Sequence, residues 1–339
     1  MRRAAGSVTA LLAAGLVLAG CSSSTEPGDD SSDGAFVVAT TTMLGSVVGD
    51  IVACAGGNAE TLMPAGADPH DFSASSAQIA SMASADLVVT NGFDLEEGLT
   101  DAIDSAASDG ATVLGVAPEV HPIEFGAGGH EDEHDHSEED AHNHEDEHAE
   151  DEHDHDHAHA HDHGSMDPHF WHDAARMAEA AELIGAELGE VTGDDAYVAC
   201  GTEVHDTLLE TDAQVREILS AVPAERRVLI TDHDAFGYFA DAYDFEVVGT
   251  VIPSGSTLAE PSSAELTALV ETVNTTGVPA IFSNNANPTD LVDAVAEEAG
   301  TDVEVVELFV GSLGEAGSGA DTYTGMVTTN AQRIADALG

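Results

Sequence analysis

The stretch 130–163 fixes what the rest of the chain must do. It holds twelve His and sixteen Asp or Glu, with no basic residue and no large apolar one, so it cannot bury a core and reads as a disordered loop. The folded mass must come from the blocks on either side. Upstream, residues 35–39 (AFVVA), 85–90 (ADLVVT) and 111–116 (ATVLGV) read as buried strands, with a helix starting near Met43 between the first two. Downstream, 173–189 and 194–222 read as helices. The second keeps Tyr197, Cys200, Val204, Leu208, Val215, Ile218 and Leu219 at spacings of three and four, apart from a gap at Ala213, and Pro223 marks its end. Strands at 227–230, 247–250, 278–283 and 303–309 then alternate with helices at 262–274, 288–299 and 325–338. Alternation of this kind predicts mostly parallel sheets. The expected architecture is two α/β lobes, 35–172 and 223–339, joined through the helices of 173–222.

The start of the chain and its charge narrow the compartment and the partners. Residues 1–20 read as a lipoprotein signal peptide: Met1-Arg2-Arg3 is basic, and Ala4 to Ala19 is apolar but too short for a membrane span. Leu18-Ala19-Gly20-Cys21 resembles the bacterial lipobox, in which the chain is cut before a cysteine that then carries lipid. Residues 21–34 read as a flexible tether, so the expected location is extracytoplasmic, held to the membrane by the lipid on Cys21 alone. Acidic residues outnumber basic ones 65 to 7, for a formal charge of −58. Such a field repels nucleic acid and favours cations, although adaptation to a salty habitat would give the same surface. With Cys21 lipidated, Cys54 and Cys200 are an even pair. In an oxidising compartment a disulfide is expected of them, contributing about 3–5 kcal/mol in the chain-entropy model; two buried free thiols are the alternative.

Three histidines stand where strands give way to loops or helices. His70 lies in Asp68-Pro69-His70, His169 in Asp167-Pro168-His169, and His233 in Asp232-His233-Asp234 directly after a buried strand. Open α/β sheets bind ligands at the carboxyl ends of their strands. Proline fixes its own φ and restricts the residue before it, so each Asp-Pro-His presents its imidazole on a stiff turn. Three neutral imidazoles suit Zn²⁺, with Cu and Ni also compatible on ligand softness.

The stretches MPAGADPHDF, DPHFW, ITDHDAFGYFADAYDFEVVG and SGADTYTGMVTTNAQRIADAL, spread over nearly the whole mature chain, resemble the ZnuA-like, zinc/manganese-type substrate-binding lipoproteins of ABC importers (cluster A-I). The resemblance implies two Rossmann-like lobes joined by a rigid helix, with the metal in the cleft between them. It implies His70, His169 and His233 as ligands, an ABC permease and its ATPase as partners, and a monomer. Some members also carry an acidic His-rich loop between the first two ligand motifs. The chain departs from manganese-type members, whose second lobe supplies two acids: Asn284 and Gly311 stand at those places here. Neither offers a carboxylate, which disfavours Mn²⁺ and leaves the fourth position to water, to Asn284 or to an acid not placed by the sequence.

Two further readings follow from the same residues. Three His with an open position also describe a catalytic zinc site, but no HExxH and no obvious general base stand beside the ligands; Asp71 and Asp234 are the candidates, and each could equally orient an imidazole or cap a turn. A metal-buffering or adhesion lipoprotein without transport is the other. The 130–163 loop is expected to gather metal loosely near the cleft. His121, His172 and His205 read as structural or surface residues, and Phe170 and Trp171 as packing beneath the His169 turn. A long joining helix predicts a largely preformed cleft with metal entry through local loop movement.

Overall fold

The computed structural model describes residues 34–126, 166–300 and 303–339. The signal peptide, Cys21, the tether before Gly34 and the 130–163 segment lie outside them.

The first sheet is built from four short strands: β1 (Ala35–Ala39), β2 (Gly57–Thr61), β3 (Leu87–Thr90) and β4 (Thr112–Gly115). They pair in parallel in the order β2-β1-β3-β4. The central strands β1 and β3 are apolar and almost wholly buried, whereas β2 carries Asn58, Glu60 and Thr61 at the sheet edge. Helices α1 (Thr42–Ala55), α2 (Ser76–Ser84) and α3 (Thr100–Asp109) connect them. Thr41 caps α1 by accepting from the Leu44 N–H, and Ser75 with Gln78 forms a reciprocal capping box on α2.

Two long helices follow, α4 (Ala174–Thr192) and α5 (Asp195–Leu219), started by the side chains of Asp173 and Asp194. Their contact is set by glycine: a Cβ on Gly185 would lie 2.7 Å from the Gly201 Cα, so the two backbones touch where neither residue has a side chain. Cys54, in the last turn of α1, is disulfide-bonded to Cys200 in α5, with Cα atoms 5.8 Å apart. Nearby the Tyr197 hydroxyl donates to the Gly56 carbonyl and accepts from the Ala35 N–H.

The second sheet repeats the first. Strands β5 (Val228–His233), β6 (Glu246–Ile252), β7 (Ala280–Asn284) and β8 (Glu304–Leu308) pair in parallel in the order β6-β5-β7-β8, with α6 (Gly237–Tyr243), α7 (Ser263–Thr276) and α8 (Asp290–Glu298) between them. The last helix, α9 (Tyr323–Leu338), returns to the middle of the molecule and packs on α5. One continuous apolar core runs from β1 and α1 through α4 and α5 to α9, and each sheet buries a smaller cluster on its other face. Among the described residues no helix is long and apolar enough to cross a membrane. Among the described residues an isolated antiparallel bridge pairs Glu124 with Met166.

Candidate metal centre

The two sheets present the carboxyl ends of their strands to the same region, and the three sequence-predicted histidines meet there. His233 is the last residue of β5, the strand beside which the order of the second sheet reverses. His70 sits on the loop leaving β2, whose first residues continue the pairing through Leu62 N to Ala39 O at 2.9 Å. His169 opens a 3₁₀ turn over Phe170–His172, just before α4. The three are 1–2% exposed. One donor atom from each lies within 4.8 Å of the others, and the Nε2 atoms of His70 and His169 are 3.5 Å apart. Among the described residues this is the one group of His, Cys, Asp or Glu whose atoms converge closely enough to share an ion.

Each histidine is bonded by an acid that precedes it, at the backbone N–H, at the ring or at both. In both Asp-Pro-His turns the carboxylate folds back onto the His N–H: Asp68 Oδ1 accepts from His70 N at 3.0 Å, and Asp167 Oδ1 from His169 N at 2.9 Å. Asp167 Oδ1 also meets His169 Nδ1 at 2.8 Å, and Asp232 Oδ2 meets His233 Nδ1 at 3.0 Å. A carboxylate on Nδ1 favours the tautomer with its proton there, which frees Nε2 as a donor to metal. The Asp167 turn is itself anchored: Asn91 Nδ2 donates to the Pro168 carbonyl at 2.9 Å, and the Tyr238 hydroxyl to the Asp167 carbonyl at 2.9 Å. Gly237 lets α6 approach this turn, since a Cβ there would lie 2.7 Å from Asp167 Oδ2. Trp171, the only tryptophan in the chain, packs beneath His169 with ring centroids 5.2 Å apart, its Nε1 donating to the Val310 carbonyl at 2.9 Å.

Electrostatics follow from burial. Burial lifts the Asp167 carboxyl to about 7, against the pull of the His169 N–H and the charges of His233 and Arg176. Burial works against a charged His233, but the Asp232 carboxylate and its hydrogen bond outweigh it and carry the ring above the usual histidine value. His172 is held well below that value by burial first, then by repulsion from His169 and His233; its ring stacks on Phe236 at 4.6 Å. His121 and His205 lie outside the cluster, facing Glu179 at 3.7 Å and Asp206 at 3.1 Å.

The acids singled out from sequence beside the ligands, Asp71 and Asp234, follow their histidines, and in the structure neither holds a ring. The three that hold turns or rings precede theirs. An Asp two residues before a His, with proline between, is the signal that finds two of them. Asn284 is occupied elsewhere: its Oδ1 accepts from the N–H groups of Ala286 at 3.0 Å and Gly311 at 3.4 Å, and its Nδ2 donates to Asn287 at 2.7 Å. A Cβ on Gly311 would lie 3.0 Å from the Pro69 Cδ, so the turn carrying His70 packs where a side chain at 311 would stand.

With this geometry established, relatives are informative. The profile of the family described as "ZnuA: Zinc-uptake complex component A periplasmic" matches residues 37–337. The chain belongs to this family. It is therefore a member of the metal ABC-transporter substrate-binding proteins, a group that binds divalent metal. It is 29% identical over 318 residues to the zinc-binding protein TroA of Treponema pallidum, covering 91% of each chain. It is 26% identical over 344 residues to the manganese-binding lipoprotein MntA of Bacillus subtilis, covering 98% of this chain and 99% of that one, and 24% identical over 338 residues to the metal ABC transporter substrate-binding lipoprotein ScbA of Streptococcus cristatus, covering 97% of this chain and 96% of that one. The solved structure of the T. pallidum periplasmic zinc-binding protein TroA superposes with a TM-score of 0.73 at 28% identity, over 90% of this chain and 99% of that one.

Proposed function

We infer that this protein captures Zn²⁺ in the cleft through His70, His169 and His233 and hands it to an ABC permease and its ATPase, as a monomer tethered by lipid on Cys21. The observation that carries the reading is the donor set: three buried imidazoles converge within 4.8 Å, with no carboxylate among them. Borderline-soft Zn²⁺ accepts nitrogen donors in tetrahedral sites, whereas Mn²⁺ prefers oxygen. Asn284 and Gly311 supply no acid to the second lobe's side of the site, and Asn284 Oδ1 already accepts two N–H groups, which leaves water for the fourth position. Asp167 and Asp232 hold two rings in the tautomer that binds, and the positive ion in turn favours their charged forms.

The test is zinc titration by competition with a chromophoric chelator, on the full chain and on a 130–163 deletion. The deletion is expected to keep one tight ion and lose the loose ones. In it, His70→Ala, His169→Ala or His233→Ala should each weaken Zn²⁺ about a hundredfold or more, since zinc binding worth about 10–16 kcal/mol is shared over four ligands. Tight binding that survives all three replacements, or a preference for Mn²⁺ at equal concentrations, would sink the reading.

A further inference from the structure

We propose that the loop between β6 and α7, residues 253–258, is the gate through which metal enters and leaves, and that the hydroxyls of Ser256 and Thr257 set the exchange rate without setting the affinity. The inference rests on the zinc-binding reading above. It starts from three consecutive residues of one loop, each engaged by a different residue of the first lobe. The Phe125 ring lies on Gly255 so closely that a Cβ there would come within 2.2 Å of the Phe125 Cζ. The Ser256 hydroxyl donates to Glu97 Oε1 at 3.1 Å. The Thr257 hydroxyl donates to Asp68 Oδ2 at 2.6 Å, an oxygen that also accepts from Asn287 Nδ2 at 2.9 Å.

These contacts surround the histidines and involve none of the three imidazoles. Asp68 is the residue whose other oxygen holds the His70 N–H. The gate begins one residue after Ile252, the partner of His233 in the sheet, and Ser254 O accepts from the Asp234 N–H at 3.0 Å. Phe125, which lies on Gly255, stands edge-on to the His169 ring at 6.5 Å. One strap of chain therefore reaches the surroundings of all three imidazoles. Because they are 1–2% exposed, an ion cannot pass unless something moves. The disulfide ties the first lobe to α5 and the shared apolar core runs on through α5 to α9, and hydroxyl hydrogen bonds are the weaker fastening. Those bonds involve no metal ligand, so they must break for entry and for exit alike. Removing them lowers both barriers equally, and the ratio of the two rates stays put.

Stopped-flow fluorescence of Trp171, whose ring packs on His169, reads the cleft in the full chain without reading the His-rich segment. Zn²⁺ is the probe, with excess chelator for release. The double variant Ser256→Ala/Thr257→Val is expected to speed both association and dissociation about tenfold, equivalent to about 1.4 kcal/mol, with Kd within twofold of wild type. Thr257→Ser alone, which keeps the hydroxyl, should keep the slow rates and so separates gating from misfolding. Unchanged rates would overturn the gate. Faster release with unchanged entry and weakened Kd would overturn it too, by making the loop part of the bound-state site. Failure of the metal reading looks different: wild type would give no saturable Trp171 response to Zn²⁺.

Discussion

The lobes are fastened at the rear and at the front by different chemistry. At the rear, α4 and α5 meet backbone to backbone at Gly185 and Gly201, the Cys54–Cys200 disulfide pins α1 to α5, and an apolar core continues through to α9. At the front, beside the cleft, Ser256, Thr257 and Asn287 reach Glu97 and Asp68 through single hydrogen bonds. Close packing and covalent bonds resist displacement in every direction, whereas a hydroxyl bond is replaced by one to water at small net cost. The difference teaches that the rear maintains the spacing of the lobes and the front regulates traffic between them. A receptor built this way holds its donors at nearly fixed positions and spends its mobility on a few loop residues.

Breaking the rear should therefore cost stability and leave binding nearly alone. Cys54→Ser with Cys200→Ser is expected to lower unfolding free energy by about 2–5 kcal/mol, read from urea melts of the metal-free protein, while the Zn²⁺ release rate changes less than threefold. A fast-releasing variant would show that the rear joint does govern traffic. Gly185→Val drives a side chain into the α5 backbone and is expected to cost about 1–3 kcal/mol, measured the same way. A neutral result would show that the helices can separate freely.

The front gives the opposite signature. Asp232→Asn removes the charge on the His233 Nδ1 and should weaken Zn²⁺ about 10–100-fold with little change in urea midpoint. Equal losses in affinity and stability would mean that Asp232 is a core residue and no partner to the ring. The smallest effect is in pH. His233 must be neutral to bind, and its pKa is raised by Asp232 against burial, so Zn²⁺ affinity should start to fall above about pH 6.5 and drop up to tenfold per unit below it. An affinity identical at pH 7.5 and pH 5.5 would exclude imidazole donors. In the metal-free protein the same raised pKa gives stability that is present at low pH and lost as pH rises through it. His172 acts oppositely: buried and held well below the usual value, it refuses a proton that the unfolded chain accepts, so stability falls as pH drops below about 6.5. His172→Phe should flatten that acid-side slope in urea melts at pH 5 to 6.5.

How much of this was legible in the sequence depends on whether a residue acts locally. Strands β1, β3, β5 and β7 are near-continuous apolar runs and are read directly. Strand β2, Gly57-Asn58-Ala59-Glu60-Thr61, has a single apolar residue and is a strand because β1 offers an unpaired edge, which no local pattern announces. Helices α2, α3 and α6 were missed in the same way. Helix α6 is seven residues long and starts directly after the His233 turn, behind Gly237, where a sequence reader sees only loop. The three histidines stood out because proline and a strand end mark them. Their carboxylate partners lie on the other side: Asp68 and Asp167 fold back across the proline onto the His N–H, and Asp232 reaches the ring of the residue that follows it. The gate was invisible: Gly255, Ser256 and Thr257 look like any polar turn until the fold sets Phe125, Glu97 and Asp68 against them, more than a hundred residues away in the chain.

The Glu124–Met166 bridge has a practical meaning. It holds Glu124 and Met166 at about 5 Å from each other, on either side of 127–165 and one residue before Asp167. Whatever length of chain is spliced between those ends, the frame that holds His169 starts from the same anchored pair. That makes the junction a natural insertion point for a fluorescent reporter, turning the protein into a metal sensor without redesigning its donors.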